Sequence, residues 1–277
     1  KGYINTINNK NPDYKEISVY LRVISEDNTN TIIRNEAAIT GNTDSDGNDV
    51  DDRDSDTEDW KEHPNHEDDE DHDYIILQSF DLALRKFIIA VSNDTTIDED
   101  EYLLESDGKT YTRAPKVDTS KLNTIGEDGK VITTATYEHS KEPVDVKAGD
   151  VVVYMLRVYN EGDIDGYASE ITDHLPPYLE YIDNEFNKSY GWSSSEDGRT
   201  VKTAYLDNHI IGKTTVNDDG KIVLSYKEVP IMCKLSNNAQ GKITNIADVT
   251  VCKDENKKVV IDRDSQVNNV ELPDDNN

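Results

Sequence analysis

Residues 151–159 read VVVYMLRVY, and this run of β-branched, aromatic and leucine residues is typical of a strand. Apolar and polar residues also alternate in four later stretches, at 221–226, 229–235, 243–251 and 258–261. Turns rich in Gly, Asp and Asn separate the stretches. The sequence Leu175-Pro176-Pro177 ends a further strand, because proline cannot donate a ladder hydrogen bond. We therefore predict an all-β fold, an Ig-like antiparallel β-sandwich.

Two short motifs occur twice and indicate a tandem repeat. The motif YKEI at 14–17 returns as YKEV at 226–229, and DRDS at 52–55 returns at 262–265. A spacing of about 210 residues is a whole domain rather than a solenoid unit. We expect residues 1–56 to be the C-terminal part of one repeat and 57–73 an acidic linker. Residues 74–267 would then form a complete repeat, and 268–277 the start of the next linker.

The charge of the chain excludes two classes of partner. The formal net charge is -29 and the pI is about 4.4, whereas nucleic acids and anionic membranes bind basic surfaces. No apolar run approaches the ~20 residues that a membrane-spanning helix needs. We expect no nucleic-acid partner and no membrane contact within this segment.

The two cysteines, Cys233 and Cys252, are expected to be free thiols. If residues 229–235 and 243–251 form a hairpin, Cys233 faces roughly Asn245, and Cys252 lies several residues further along. That separation is too large for a disulfide. Covalent reinforcement must then come from another kind of bond.

Three polar residues fall at positions expected to face the core. The two-residue period of a strand places Lys86 in an aliphatic row, with Leu82, Leu84, Ile88 and Ala90. The same two-residue period predicts that Asn245 faces inward within residues 243–251. It also predicts that Asp173 faces inward, together with Ile171 and Leu175.

These three groups suit the formation of an intramolecular amide bond. Burial favours the neutral forms of a lysine and an aspartate, and a neutral amine is a nucleophile. Lys86 would attack the side-chain carbonyl of Asn245 and release ammonia, while Asp173 polarises that carbonyl. The alternative is that Lys86 reaches solvent at a strand end, Asp173 caps a turn and Asn245 satisfies backbone groups at a sheet edge.

Residues 146–162 (VKAGDVVVYMLRVYNEG), 171–177 (ITDHLPP) and 243–247 (ITNIA) together resemble the isopeptide-forming Ig-like domains of Gram-positive fimbriae and surface adhesins. The resemblance covers roughly residues 80–264, and the polar stretch 94–137 departs from the compact family form. It implies Lys86 as the amine, Asn245 as the acceptor and Asp173 as the assisting acid. It also implies an extracellular location, on the surface or a surface appendage of a Gram-positive bacterium.

By repetition, Asn35 corresponds to Asn245. Its lysine and aspartate counterparts would precede Lys1, or a neighbouring chain would supply them by strand complementation. The partner that we expect is therefore the protein itself, as tandem domains or as a homopolymeric fibre.

No cofactor is expected apart from calcium, which could bind at the repeat ends and at an acidic loop that begins at Asn42. The EF-hand spacing fails in this loop, because Arg53 stands where the twelfth-position glutamate belongs. A solvated acidic face is the alternative. The candidate calcium ligands are Asp44, Asp46, Asp52, Asp54, Asp262 and Asp264.

The sequence thus predicts a structural cell-surface stalk or extracellular fibre. Its chemistry would be one self-crosslinking event without turnover, so the protein would not be an enzyme. The alternative is an adhesin module that binds a host or glycan ligand without an internal isopeptide bond. The candidate contacts for such a ligand are Trp192, Tyr178, Tyr181 and Tyr190.

Overall fold

The structure is a computed structural model that describes residues 14–22, 32–51, 69–76, 78–93, 97–98, 103–104, 109–124, 126, 131–263 and 265. The chain forms two compact units. The first comprises Lys1–Asp27 and Thr31–Leu77, and the second comprises Asn28–Asn30 and Gln78–Asn277. No helix among the described residues is long and apolar enough to cross a membrane.

The described part of the first unit contains one pair of strands. Strand β1 (Ile32–Ala38) pairs antiparallel with β2 (Glu70–Ile76) over seven residues. Strand β2 begins inside the segment 57–73 that the sequence assigned to a linker. The acidic composition argued against burial, but pairing with β1 supplies hydrogen-bond partners for the β2 backbone without requiring burial of the side chains.

The second unit is built on two five-stranded sheets. Sheet A has the order β12 (Ser193–Ser194), β13 (Thr200–Thr203), β10 (Gly166–His174), β17 (Ile246–Asp254) and β18 (Val259–Val260). Sheet B has the order β11 (Leu179–Tyr181), β16 (Ser225–Leu235), β9 (Val151–Asn160), β3 (Leu82–Ser92) and β6 (Lys109–Thr110). Within the described residues, every strand pair in both sheets is antiparallel.

Smaller elements complete this unit. Three two-stranded sheets are formed by β4 (Ile97–Asp98) with β5 (Leu103–Leu104), β7 (Lys116–Asp118) with β8 (Thr136–Glu138), and β14 (Thr215–Val216) with β15 (Ile222–Val223). The helical elements are α1 (Glu185–Ser189) and a 3-10 turn at Tyr205–Asn208.

The two large sheets share one hydrophobic core. Sheet B contributes Leu84, Leu156 and Ile231, and sheet A contributes Ile171 and Val249, all of them fully buried. This shared core confirms the prediction of an all-β sandwich.

Strand β9 is buried on both faces, which explains its nearly continuous apolar sequence. Val151 and Val153 on its outer face pack with Met232 of β16 and Phe186 of α1. The helix therefore covers an apolar patch on the outside of sheet B.

A β-bulge in strand β3 reverses the directions in which the side chains after it point. Ile88 is opposite Tyr154 of β9 but Ala90 is opposite Val153, so the intervening residue is extra. Lys86 keeps its predicted inward direction, because it precedes the bulge. The prediction for Ala90 is wrong: it packs on the outer face of sheet B, and Val91 takes the inward position.

The predicted hairpin between residues 229–235 and 243–251 is also wrong. Residues 229–235 lie in β16 and residues 246–251 lie in β17, and the two strands belong to different sheets. Residues 236–245 therefore cross from one sheet to the other. Cys233 is opposite Val152, and Cys252 is opposite Ala168. Both cysteines are buried and neither is in a disulfide, so the prediction of thiols is confirmed with a different geometry.

Candidate functional site

Lys86 is the central residue of the candidate site. It lies in β3 and faces sheet A, and its side chain is 7% exposed. Its Nζ is 2.5 Å from Oδ2 of Asp173, which lies in β10 of the facing sheet and is fully buried. The lysine does not reach solvent at a strand end. Nζ also lies 4.8 Å from the ring centroid of Tyr154.

Burial governs the protonation of Lys86. Desolvation lowers the pKa of its ammonium group, and the nearby Asp173 carboxylate opposes this shift without cancelling it. Burial raises the pKa of the Cys233 thiol and of the Tyr154 hydroxyl, so both groups keep their protons at neutral pH. The site thus combines a lysine whose neutral amine is favoured by burial with a carboxylate placed to take its proton.

Asn245 lies one residue before β17, in the crossing between the two sheets. The register places Ala247 of β17 opposite Asp173, so Asn245 enters the sandwich close to the end of β10. Both polar atoms of its carboxamide are buried and have no hydrogen-bond partner among the described residues, and the same holds for Oδ1 of Asp173. Such unsatisfied buried groups are rare in folded proteins and require an explanation.

One cavity of about 320 Å³ joins Lys86 to Asn245, and both residues line it. Its walls include Tyr154 and Val152 of β9 and Leu235 of β16. The structure therefore brings together the three residues that the sequence singled out. Lys86 contacts Asp173, and the side-chain amide of Asn245 lines the same cavity as Lys86.

Asn35, the counterpart of Asn245 in the first unit, has different surroundings. It lies in the middle of β1 opposite Asp73, and it is exposed.

In the acidic loop of the first unit, the Asp44 carboxylate accepts hydrogen bonds from the backbone of the loop itself. Oδ1 of Asp44 accepts hydrogen bonds from the backbone N–H groups of Asp46 and Asn48, each at 2.9 Å. The Asn48 hydrogen bonds lower the pKa of Asp44 most. In the part of the chain that the structure describes, no three His, Cys, Asp or Glu side chains are grouped to hold a metal ion. Three of the predicted calcium ligands lie outside the described residues, namely Asp52, Asp54 and Asp264.

Asp262 and Arg263 have a role that the sequence prediction missed. Oδ2 of Asp262 accepts a hydrogen bond from the backbone N–H of Leu82 at 2.7 Å, which attaches it to the first residue of β3. Arg263 forms a buried ion pair with Asp81 and donates to the carbonyl of Thr133 at 2.7 Å. The contacts of Asp262 are thus those of a strand anchor. The occurrence of DRDS at both 52–55 and 262–265 was the sequence signal that pointed to these residues.

The aromatic residues proposed as ligand contacts serve mainly in packing. Trp192 is 3% exposed, and its indole Nε1 donates to the carbonyl of Pro230 at 2.7 Å. The hydroxyl of Tyr181 donates to the carbonyl of Trp192 at 2.9 Å. Tyr190 is half-buried among Phe186 and Tyr205. Tyr178 alone of the four is exposed by more than a third.

Comparisons with family models, with curated proteins and with solved structures find no match to this chain. The fold and the geometry around Lys86 are therefore the observations from which the function is inferred.

Proposed function

We propose that this chain is part of an extracellular stalk or fibre, and that an isopeptide bond between Lys86 and Asn245 reinforces its second unit. The observation that carries the proposal is the buried Lys86–Asp173 contact beside an Asn245 carboxamide without hydrogen bonds. A snorkelling lysine would be exposed, and an asparagine that satisfied backbone groups would be hydrogen-bonded. Neither alternative fits these contacts.

The reaction begins with transfer of one proton from Lys86 to Asp173 within their hydrogen bond. The lone pair of the neutral amine attacks Cγ of Asn245 and forms a tetrahedral intermediate. Protonated Asp173 donates a hydrogen bond to the carboxamide oxygen, where negative charge develops. The C–Nδ2 bond then breaks, and proton transfer through Asp173 delivers the leaving nitrogen as ammonia. One amide bond replaces another, so no oxidant, reductant or cofactor is required.

Folding supplies the catalytic advantage of this reaction. The two sheets hold the reacting groups in one cavity, and intramolecular reactions of well-oriented groups reach effective molarities of about 10⁵ M or more. Lys86 and Asp173 are buried in the core, which limits the access of water to the reacting groups. The product stays in the core, so the event occurs once in each chain.

The bond would join β3 of sheet B to the start of β17 of sheet A. These are the first long strand and a late strand of the second unit, and the link would cross the core between the sheets. A pulling force would then pass from one strand to the other without extending most of the residues between them. This load path suits a stalk or a fibre assembled from copies of the chain.

Intact-protein mass spectrometry tests the bond. The full chain is expected to be lighter than its sequence mass by one ammonia, and fragmentation is expected to return a crosslinked peptide containing Lys86 and Asn245. The variants Lys86→Ala, Asn245→Ala and Asp173→Asn should each show the full sequence mass for their composition. Lys234→Ala, at an exposed lysine of β16, is the matched control and should keep the deficit. A wild-type chain of full mass would overturn the proposal.

A further inference from the structure

The cavity beside Lys86 opens through a cluster of positive charges. Its lining includes Arg113, Lys141 and Lys242, and the one acidic residue among its described lining residues is Glu142. Lys86 also lines it, but its charge is balanced by Asp173. Such a cluster is unexpected on a chain with 58 acidic residues, 29 basic residues and a net charge of -29.

The three cations have no acidic partner within the described part of the chain. Arg113 donates instead to the backbone carbonyls of Ser140 and Glu142, at 2.8 and 2.5 Å. These hydrogen bonds fix the segment at the cavity mouth but leave the guanidinium charge unneutralised. Lys141 and Lys242 are exposed and form no ion pair with the described residues.

The nearby positive charges contribute to lowered pKa values of two neighbouring residues. The pKa of Lys141 is lowered first by partial desolvation of its ammonium group at the cavity, and then by the positive charges of Arg85 and Arg113. The pKa of His139 falls to about 4, through burial first and then through Lys141, Arg85 and Arg113. Basic side chains outnumber acidic ones among the described residues at the cavity mouth, so a bound anion would be attracted there.

The walls between the cations are aliphatic. Val144, Val146 and Ile243 line the cavity near its charged mouth. The aromatic lining residues, Phe87 and Tyr154, are no more than 9% exposed, so they offer no open ring face on which a sugar could stack. A ligand that fits this lining alternates carboxylates with aliphatic groups, as an extended acidic peptide does.

We propose that the mouth of the Lys86 cavity is a binding site for an acidic peptide segment, with Arg113, Lys141 and Lys242 pairing with its carboxylates. The chain carries acidic runs of its own, among them 67–71 (EDDED), so a second copy is a natural source of the carboxylates. None of the three cations takes part in the proposed isopeptide chemistry. The peptide site therefore does not depend on that bond.

Titration calorimetry with the full chain tests the site. The probe is the capped pentapeptide Glu-Val-Glu-Val-Glu, and its control is Gln-Val-Gln-Val-Gln. We expect the acidic peptide to bind, the neutral peptide to bind at least about tenfold more weakly, and affinity to fall as salt is added. The double variant Lys141→Gln/Lys242→Gln should weaken binding about fivefold or more. The matched variant Lys234→Gln/Lys258→Gln, at exposed lysines outside the cavity lining, should bind as the wild type does.

Three outcomes would overturn the proposal: equal binding of the two peptides, equal losses in the two double variants, or tighter binding of an acidic sugar such as a galacturonate oligomer. Circular dichroism checks that each variant is folded. Intact mass of the same wild-type sample reports whether the isopeptide bond has formed, so the bond and the binding of the acidic peptide are measured separately. The peptide site and the covalent bond can thus fail independently.

Discussion

At the residue scale, the core of the second unit contains polar side chains. Lys86 and Asp173 share one contact in the core, whereas the carboxamide of Asn245 has no hydrogen-bond partner among the described residues. Leaving a buried polar group unsatisfied costs about 1–3 kcal/mol. A reaction that turns this amide into part of a crosslink gives a physical reason why the group is kept there.

His139 provides a prediction on pH at the same scale. Its folded pKa is about 4, below the ordinary value of 6.5, so the unfolded chain binds more protons between these pH values. The contribution of His139 to the free energy of unfolding should therefore increase from pH 4 to about pH 6.5 and then stay constant. Urea unfolding of the wild type and of His139→Asn across this range measures it. The stability difference should grow with pH, and a constant difference would contradict the assignment.

Strand β16 shows how an element tolerates a residue that strands usually exclude. Pro230 lies in its middle, opposite Met155 of β9. On the other side, β11 pairs with β16 from Cys233 to Leu235. Among the described residues, β16 therefore has no second partner strand at the proline, and such an edge position tolerates proline. The carbonyl of Pro230 accepts the indole hydrogen of Trp192. Residues 225–235 therefore form one strand, although the sequence pattern divided them into two.

The substitution Trp192→Phe tests this support of β16. It keeps an aromatic ring but leaves the buried carbonyl of Pro230 without its donor, so the free energy of unfolding should fall by about 1–3 kcal/mol. The control is Tyr205→Phe at a half-buried position. It removes a hydroxyl that has no hydrogen-bond partner among the described residues, and it should change stability by less than about 0.5 kcal/mol. Chemical denaturation compares the two variants. Equal losses would show that the indole hydrogen bond is not responsible.

At the scale of the whole second unit, residues near its C-terminal end contact the start of its first long strand, β3. Asp262 binds the backbone of Leu82, and Arg263 pairs with Asp81, both buried at the start of β3. These contacts close the unit between residues about 180 positions apart, where loop-closure entropy opposes contact. Asp262 and Arg263 of the DRDS motif at 262–265 thus lie where the second unit is closed.

Removal of this closure should destabilise the unit strongly. Arg263→Met leaves the buried Asp81 carboxylate without its cation, and breaking such a pair costs about 3–5 kcal/mol. The double variant Arg263→Met/Asp81→Asn removes both charges and should recover part of the loss. Guanidinium unfolding of wild type and variants measures both effects. A single-variant loss below about 1 kcal/mol, or no recovery in the double variant, would show that the ion pair does not close the fold.

Local sequence pattern determined the fold class and the inward direction of Lys86 and Asp173, because strand periodicity repeats every two residues and needs no knowledge of distant contacts. It also marked the end of β10, where two prolines interrupt the ladder after His174. The recurrence of DRDS showed that this motif mattered, but not what it contacts.

Only the tertiary structure decided the bulge in β3, the placement of β16 and β17 in different sheets, and the pairing of Arg263 with Asp81. It alone gathered Arg113, Lys141 and Lys242, which are far apart in the chain, at one cavity. The physical reason is the same in each case. Sheet membership and charge neighbourhoods depend on contacts between distant residues, and these arise when two faces pack together rather than from the alternation within either strand.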